Sequence, residues 1–264
     1  MNLKEKNVLI TGASSGIGEG LAVEFAKQGA NIVLASNQPE ELVRVQKECD
    51  KYGVKTWVHT IDLENEKNVV ETAQKIISEV KTIDILVNNG GISQRSYAVE
   101  TPIEIDRKVM EIDFFGHVVL TKQILPLFVN QNRGNIIVMS SVVGKFGFPL
   151  RTAYASAKHA LHGFFEGLRS ELKPNNVKIL IVCPGKIKTN ISLHAVTKTG
   201  DKWGKMDPSQ ERGMPIDKCA RRIVRAMKRN RRELFLGGKE VVMVFVRNYL
   251  PRLFYYLAPR VKTV

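Results

Sequence analysis

Residues 7–18 read Asn-Val-Leu-Ile-Thr-Gly-Ala-Ser-Ser-Gly-Ile-Gly. An apolar run typical of a buried strand leads directly into a Gly-x-x-x-Gly-x-Gly turn, and a segment of helical period follows. Glycines permit a tight turn and a close approach of the backbone to a phosphate, while the start of the next helix supplies free N–H groups. The stretch therefore predicts a strand–turn–helix unit that binds a dinucleotide through Gly12, Gly16 and Gly18.

Apolar runs alternate with helical segments through the rest of the chain. Leu161, Phe165 and Leu168, for example, have the spacing of one buried helix face. This alternation predicts an α/β protein: a doubly wound Rossmann fold with a seven-stranded parallel sheet, helices on both faces and a C-terminal helical extension. The predicted strands are 7–11, 31–35, 54–60, 84–88, 135–140, 177–183 and 233–236, and the predicted helices lie near 16–28, 40–51, 65–80, 103–131, 153–173 and 216–229.

The predicted organisation is one Rossmann domain, residues 1–238, followed by an apolar and basic extension, 239–264. Residues 185–214 show no clear periodicity. A segment of that length inside a compact domain is more often a functional lid than a passive connection, so we expect it to cover the substrate.

Composition limits the class of protein. The chain has 264 residues, 44% hydrophobic and 25% charged, as in an ordinary globular protein. Its three cysteines are widely spaced and match no metal-ligand pattern, so we expect a reducing compartment and no metal. With neither a signal-peptide pattern nor a long uncharged apolar run, the prediction is a cytoplasmic protein without a membrane span.

The formal net charge of +14 is concentrated in the arginine-rich segment 221–232. Such a segment is compatible with a nearby anionic surface or with a solvated helix face, and both interpretations stay open. No aromatic residues are interleaved among these arginines, as a stacking platform for bases would need, so no nucleic-acid partner is expected.

Three further motifs follow the glycine turn, each at the end of a predicted strand. They are Asn-Asn-Gly-Gly at 88–91, Ser141 with Tyr154 and Lys158, and Pro-Gly at 184–185. With the turn, these motifs resemble the short-chain dehydrogenases/reductases over roughly residues 5–237. The resemblance implies an oxidoreductase that moves a hydride between a nicotinamide cofactor and a ketone, aldehyde or alcohol.

Tyr154 and Lys158 are four residues apart on one predicted helix and share a face. A phenol titrates near pH ~10, too high for acid–base catalysis at neutral pH, and a neighbouring ammonium favours the phenolate. Ser141 is expected to hydrogen-bond the substrate oxygen as charge develops there. These residue types therefore suit proton transfer to a carbonyl oxygen, with Tyr154 as the acid and base.

The family resemblance assigns further residues. It implies that Ser14, Ser15, Ile17, Asn89, Gly90 and Tyr154 contact the cofactor, that Lys158 holds the nicotinamide ribose, and that Asp62 and Leu63 contact the adenine. Ile187 and Thr189 resemble the contacts to the nicotinamide carboxamide.

Asp113 occupies the position where the family usually has a catalytic asparagine. The asparagine serves a proton relay that reaches Lys158, partly through its backbone carbonyl. That carbonyl survives the change to Asp, but a carboxylate near Lys158 stabilises the ammonium. We expect an active enzyme with an altered pH dependence.

The cofactor preference is predicted from the residues after the second strand. Enzymes specific for NAD need an acidic residue there for the adenine ribose 2′-hydroxyl. This chain has Ser36 and Asn37, which donate hydrogen bonds and do not repel a 2′-phosphate. NADP(H) is therefore favoured over NAD(H), although the arginine pair of many NADP-using relatives is missing.

The tail, residues 241–258, is strongly apolar and interrupted by Arg247, Pro251 and Arg252. It resembles the C-terminal extension of the subgroup that contains 11β-hydroxysteroid dehydrogenase type 1 and the dehydrogenase/reductase member 7 proteins. The resemblance implies a homodimer or homotetramer, or a peripheral contact with a membrane surface. We expect docking on a partner subunit, with the membrane contact as the alternative.

Two classes of function fit the chain best. The first is an NADP(H)-dependent oxidoreductase acting on a hydrophobic carbonyl or alcohol, and the alternative is a non-catalytic, nucleotide-binding regulatory protein on the same fold. Regulatory proteins of this kind typically lose the tyrosine or the lysine. Both Tyr154 and Lys158 are present, which favours the enzyme.

Overall fold

A seven-stranded parallel sheet forms the centre of the computed structural model, which describes residues 1–260. The strand order is β3-β2-β1-β4-β5-β6-β7. Residues 261–264 of the predicted extension lie outside the described residues. The strands are β1 (Asn7–Thr11), β2 (Asn31–Ser36), β3 (Thr56–Thr60), β4 (Ile85–Asn88), β5 (Gly134–Met139), β6 (Val177–Pro184) and β7 (Glu233–Leu236).

Helices cover both faces of the sheet, which confirms the predicted doubly wound fold. α1 (Gly16–Lys27), α2 (Pro39–Asp50) and α8 (Ile216–Lys228) pack on one face, and α3 (Glu66–Val80), α5 (Gly116–Asn130) and α6 (Thr152–Glu171) pack on the other. The remaining helices are α4 (Ile103–Met110), α7 (Pro208–Glu211), α9 (Val242–Tyr249) and α10 (Pro251–Leu257). The sheet lies between two apolar layers, so the strands read as continuous hydrophobic runs.

Several predicted strand boundaries differ from the structure by one or two residues. The strand predicted over 54–60 begins at Thr56, because the N–H of Lys55 donates to the side chain of Asn31 (3.1 Å). The strand predicted over 135–140 ends at Met139, although the N–H of Ser140 still donates to the carbonyl of Val182 (2.8 Å). Apolar periodicity does not reveal where backbone groups change partners.

The helix predicted over 103–131 is not one regular α-helix. α4 passes into a π-helical turn, Glu111–Phe115, before α5 continues. The whole helical run, Ile103–Asn130, is the one helix among the described residues that is long and apolar enough to cross a membrane. The prediction of no such span counted only uncharged runs. Leu120, Ile124 and Phe128 are fully buried in the domain, and a core helix meets the same test of length and composition.

The ends of β1 and β4 are joined by the hydroxyl of Thr11, which is fully buried. The hydroxyl oxygen accepts from the N–H of Asn89 (2.9 Å) and of Gly90 (3.0 Å), and it donates to the carbonyl of Val87 (3.2 Å). One side chain therefore satisfies three backbone groups where the strand order reverses.

We expect Thr11→Val to lower the free energy of unfolding by about 3 kcal/mol, because two buried N–H groups lose their acceptor and each loss costs about 1–3 kcal/mol. Thr11→Ser keeps the hydroxyl and serves as the matched control. Urea denaturation of both variants measures the difference. Equal stability of the valine and serine variants would show that the hydroxyl does not stabilise the junction between the ends of β1 and β4.

Candidate active site

The carboxyl ends of the strands open into a cleft of about 560 Å³. It lies where the strand order reverses between β1 and β4, which is where ligands bind in open α/β sheets. Of the predicted site residues, only Gly18 and Asp113 do not line it. Those that do are Gly12, Ser14, Ser15, Gly16, Ile17, Ser36, Asn37, Asp62, Leu63, Asn89, Gly90, Ser141, Tyr154, Lys158, Ile187 and Thr189.

The glycine turn leaves no room for side chains. Gly12 and Gly16 have φ angles of +61° and +58°, in the left-handed region that favours glycine. A Cβ on Gly12 would lie 2.7 Å from Gly90 Cα, and one on Gly18 would lie 2.2 Å from the oxygen of Gly12. Gly18 thus packs α1 against the turn and is not among the residues that line the cleft, and its assignment as a cofactor contact stays a prediction.

The first turn of α1 faces the cleft at its N-terminus. Ser15 occupies the N-cap with an extended backbone, and its side chain makes no capping hydrogen bond within the described chain. The N–H groups that begin a helix carry partial positive charge and bind anions. With Gly12 and Gly16 beside it, this turn suits a pyrophosphate.

The cleft next to the end of β2 is lined by hydroxyl and amide groups. Ser36 donates to the hydroxyl of Ser14 (3.0 Å), and the N–H of Gln38 donates to Ser36 (3.3 Å). Arg44, which sequence reasoning missed, donates to the carbonyl of Ser14 (3.2 Å). Its guanidinium is paired with Glu19 at 2.7 Å, so it supports this wall from behind. Arg44 lies on α2, beyond Ser36 and Asn37, from which the cofactor preference is predicted.

Asn89 holds the glycine turn from the β4 side. Its amide donates to the carbonyls of Thr11 (2.9 Å) and Gly12 (3.2 Å). Behind it, His117 lies 2.7 Å from the carbonyl of Gly90. Burial lowers the pKa of His117 to about 3, so the ring is neutral. The backbone after β4 is thereby fixed on both sides.

Tyr154 and Lys158 share one face of α6, as their spacing predicts, and both are buried. Lys158 Nζ lies 5.6 Å from the centre of the Tyr154 ring and donates to the carbonyl of Met139 (3.3 Å). Ser141, just beyond β5, donates to the carbonyl of Pro184 (3.3 Å). The three predicted catalytic side chains therefore meet in one cleft.

Asp113 lies behind the cleft wall in the π-helical turn and is fully buried. One carboxylate oxygen accepts from the N–H of Ile92 (2.7 Å), and the other is 3.4 Å from Lys158 Nζ. Burial raises the pKa of Asp113, and the charge of Lys158 opposes that rise. A Cβ at Gly91 would lie 2.8 Å from this carboxylate, so Gly91 makes room for it.

Gln94 was missed by sequence reasoning. Its side-chain oxygen accepts from the N–H of Ala153 (2.9 Å) and of Tyr154 (3.4 Å). It therefore caps the start of α6, where Arg151 provides no side-chain cap. Gln94 lies in a segment without periodicity, so the sequence carries no signal for this contact.

Apolar side chains from the segment between β5 and α6 line part of the cleft. Val142, Val143 and Phe148 line the cleft. Phe146 is an exception, because its ring packs 5.4 Å from the ring of Phe254 in α10. Phe146 therefore packs against the C-terminal extension and is not among the residues that line the cleft.

His162, one turn after Lys158, lies under the cleft. Its Nε2 is 3.1 Å from the hydroxyl of Ser140, and its Nδ1 is 3.7 Å from Glu233. His162, Cys183 and Glu233 offer three possible metal ligands within 4.8 Å of one another. However, Glu233 is paired with Lys145 at 2.7 Å, and burial raises the pKa of the Cys183 thiol, which favours its protonated form. The absence of a metal stays a prediction.

The fold and the cleft define a nucleotide-binding protein of the Rossmann type. Residues 6–199 match the family model for short chain dehydrogenases. The chain belongs to the short-chain dehydrogenase/reductase family, whose members are oxidoreductases that use nicotinamide dinucleotides. It is an oxidoreductase of this class.

Relatives place the chain with the dehydrogenase/reductase member 7 proteins. It is 37% identical over 260 residues to a dehydrogenase/reductase SDR family protein 7-like of Drosophila melanogaster, covering 97% of this chain and 80% of that one. It is also 37% identical to dehydrogenase/reductase SDR family member 7B of Xenopus tropicalis, covering 98% and 87%. Among solved structures, a short-chain dehydrogenase from Streptomyces avermitilis is 26% identical with a TM-score of 0.80, covering 96% of each chain.

The stability of the folded chain should fall in acid partly through His162. Burial lowers the pKa of His162 to about 4, whereas an unfolded histidine titrates near pH ~6.5. Only the unfolded chain takes up this proton between those values, so stability present above pH ~6.5 is lost as the pH falls toward ~4. Between about pH 7.5 and about pH 4.5, the wild type should lose about 2–3 kcal/mol more than His162→Gln.

Urea denaturation at a series of pH values measures this difference. His194→Gln, which replaces an exposed histidine, serves as the control and should follow the wild type. Parallel pH curves for the wild type and His162→Gln would contradict the prediction.

Proposed function

We propose that the chain is an NADP(H)-dependent oxidoreductase that interconverts a ketone or aldehyde and an alcohol, with Tyr154 as the acid and base. The observation that carries the proposal is the meeting of Ser141, Tyr154 and Lys158 in the same cleft as the glycine turn. A protein that only bound a nucleotide would need the turn but not this set of side chains. The set favours the enzyme over a regulatory nucleotide-binding protein.

The residues of the cleft fit a nicotinamide dinucleotide. The turn at Gly12 is a cradle that side chains would fill, and the N-terminus of α1 suits the pyrophosphate. Lys158 is available to hold the nicotinamide ribose, and Ile187 and Thr189 line the same cleft. When bound, the cofactor supplies or accepts the hydride at the carbonyl carbon.

Tyr154 donates a proton to the carbonyl oxygen in reduction and takes it back in oxidation. Lys158 assists because its ammonium favours the phenolate left behind. Ser141 hydrogen-bonds the same oxygen while negative charge develops on it. Asp113 is a positioning residue, because its carboxylate holds the ammonium of Lys158 from outside the cleft at 3.4 Å.

Tyr154→Phe should lower turnover by at least about a hundredfold, because only the transferable proton is lost. Its dissociation constant for NADPH should stay within about twofold of the wild type, since the aromatic ring, Lys158 and the glycine turn all remain in place. Turnover of a ketone and aldehyde panel, followed by cofactor absorbance, together with NADPH binding by fluorescence, measures both. Tyr97→Phe, at an exposed tyrosine outside the cleft, is the control.

A Tyr154→Phe variant that keeps more than a few per cent of the activity would contradict the assigned role. Wild-type protein that binds NADPH but reduces no member of the panel would instead favour the regulatory protein.

The preference for NADP(H) is supported by the wall at the end of β2. The residue at that end is Ser36, and Ser14 and Asn37 line the cleft beside it. Hydroxyl and amide groups donate to a 2′-phosphate, which a carboxylate would repel. Solved structures of the fold include an archaeal alcohol dehydrogenase with 5-hydroxy-NADP and a bacterial dehydrogenase/reductase with NAD, so the fold alone does not select the cofactor.

Ser36→Asp should shift the ratio of kcat/KM for NADPH to that for NADH by at least about tenfold toward NADH. The new carboxylate repels a 2′-phosphate and accepts from a 2′-hydroxyl. Ser36→Asn, of similar size and without charge, is the control. A wild type that already prefers NADH would overturn the cofactor assignment before any variant is made.

We also propose a reducing compartment and a partner for the extension. Cys49, Cys183 and Cys219 are buried and free, which supports a reducing compartment.

α9 and α10 dock on the domain through Val244 and Phe254 and leave a largely apolar and aromatic surface exposed. Such a surface supports docking on a second copy of the chain. Peripheral contact with a membrane is the alternative. The large exposed side chains are Val242, Phe245, Tyr249, Leu250, Leu253, Tyr255 and Tyr256.

A further inference from the structure

Three cationic side chains line the cleft near Tyr154, and sequence reasoning singled out none of them. Arg95 follows β4, Arg151 precedes α6, and Lys186 follows β6. Arg95 and Arg151 are more than nine-tenths buried. Side chains from three separate segments, meeting at one end of a cleft, form a built site and not a solvated surface patch.

Among residues 1–260, a single carboxylate, that of Asp207, pairs with these cations. Asp207 lies 2.9 Å from Lys186 Nζ and 3.8 Å from Arg151 Nη2. Burial alone would raise the pKa of Asp207, but hydrogen bonds from Ser209 and Lys186 outweigh it and hold this pKa well below its usual range. Asp207 is therefore charged and balances one of the three cations, while Asp207 itself does not line the cleft.

The two arginines are short of anionic partners. Arg151 donates no hydrogen bond to any of residues 1–260, and its contact with Asp207 at 3.8 Å exceeds hydrogen-bond distance. Arg95 donates only to neutral acceptors, the hydroxyl of Ser93 (2.9 Å) and the carbonyl of Gln94 (2.8 Å). Burial, reinforced by the charge of Arg151, lowers the pKa of Arg95 to about 10, so the guanidinium is still charged at neutral pH. Buried cations without paired anions are costly.

The position of these cations assigns them to the substrate end of the cleft. The glycine turn and the N-terminus of α1, which suit a pyrophosphate, lie at the end of β1. Arg151 is three residues before Tyr154 at the start of α6, and Arg95 adjoins Gln94, which caps that helix. The cationic group therefore surrounds the acid–base tyrosine and not the phosphate turn.

Apolar side chains complete the same end of the cleft. Ile92, Val142, Val143 and Phe148 line it together with the cations. A plain hydrophobic ketone would fill the apolar part but leave two buried guanidinium groups without a hydrogen-bonded anion among the described residues. A molecule that carries an anionic group beside its carbonyl and an apolar chain satisfies both parts.

We propose that the substrate carries an anionic group, a carboxylate or a phosphate monoester, which is bound by Arg95 and Arg151. This inference rests on the proposed oxidoreductase function and narrows its substrate class to an amphipathic keto acid or keto phosphate. Arg151 forms the strong contact, because its donors are unused by the described chain.

The experiment compares three ligands built on one aliphatic ketone: the γ-keto acid, its methyl ester, and the ketone with a terminal phosphate. Each is titrated calorimetrically into the protein saturated with NADP⁺, so that binding is measured without turnover. The acid, the phosphate or both should bind at least about tenfold more tightly than the ester. The stronger of the two anions identifies the anionic group.

Arg151→Gln should remove at least about nine-tenths of that preference while leaving the ester's dissociation constant within about twofold. Arg95→Gln is the second variant, in case the first fails to fold, and thermal unfolding checks both. Arg212→Gln, at an exposed arginine that does not line the cleft, is the control and should change neither constant.

Equal binding of the ester and both anions, or a preference for the anions that survives both Arg→Gln substitutions, would overturn the anionic subsite. Turnover with NADPH is measured separately on the same three ligands. An anion preference in binding with no reduction of any ligand would contradict the oxidoreductase proposal instead, so the two failures are distinguishable.

Discussion

The close contact between the ends of β1 and β4 is the constraint on which the rest of the site depends. A Cβ on Gly12 would lie 2.7 Å from Gly90 Cα, so the two backbones meet without any side chain between them. Asn89 holds them there by donating two hydrogen bonds to Thr11, one from its backbone N–H to the hydroxyl and one from its side-chain amide to the carbonyl. The same contact that shapes the glycine turn therefore also fixes the start of the segment that leads to Gly91, which lies next to Lys158.

The buried cations around the cleft differ in how closely a carboxylate balances their charge. On the wall behind Lys158, the fully buried Asp113 balances the ammonium at 3.4 Å and accepts the N–H of Ile92. Near Arg151 the balance is incomplete, because Asp207 is shared with Lys186. An asparagine in place of Asp113 could still bind Ile92 but would leave the ammonium without a counter-charge. The carboxylate thus suits a cleft whose other cations need an anion from outside the chain.

The sequence predicts most of the fold because its signals are local. Parallel strands that are buried on both faces form continuous apolar runs, and the order of motifs after successive strands located Tyr154, Lys158 and Ser141. The π-helical turn at Asp113 was not predicted, since apolar spacing is helical on both sides of it. The sequence also carries no indication of the roles of Gln94, Arg95 and Arg151. Their roles come from contacts between segments that lack periodicity, and no local pattern records such contacts.

The C-terminal extension is joined to the site more closely than the predicted boundary at 238 and 239 implies. The carboxylate of Glu240 accepts from the N–H groups of Lys186 (2.7 Å) and Gly238 (3.0 Å). A Cβ at Gly185 would lie 2.2 Å from that carboxylate, so the chain after β6 is shaped to receive it. Phe254 packs in the same apolar cluster as Tyr154.

These contacts link the extension to both parts of the substrate end. Glu240 fixes the backbone that carries the cation of Lys186, and the cluster around Phe254 supports the apolar wall that includes Val142. α9 and α10 dock on the domain through Val244 and Phe254, and their other side chains form an exposed face. A partner bound on that face would therefore press on elements that shape the pocket, because tightly packed interiors transmit small displacements.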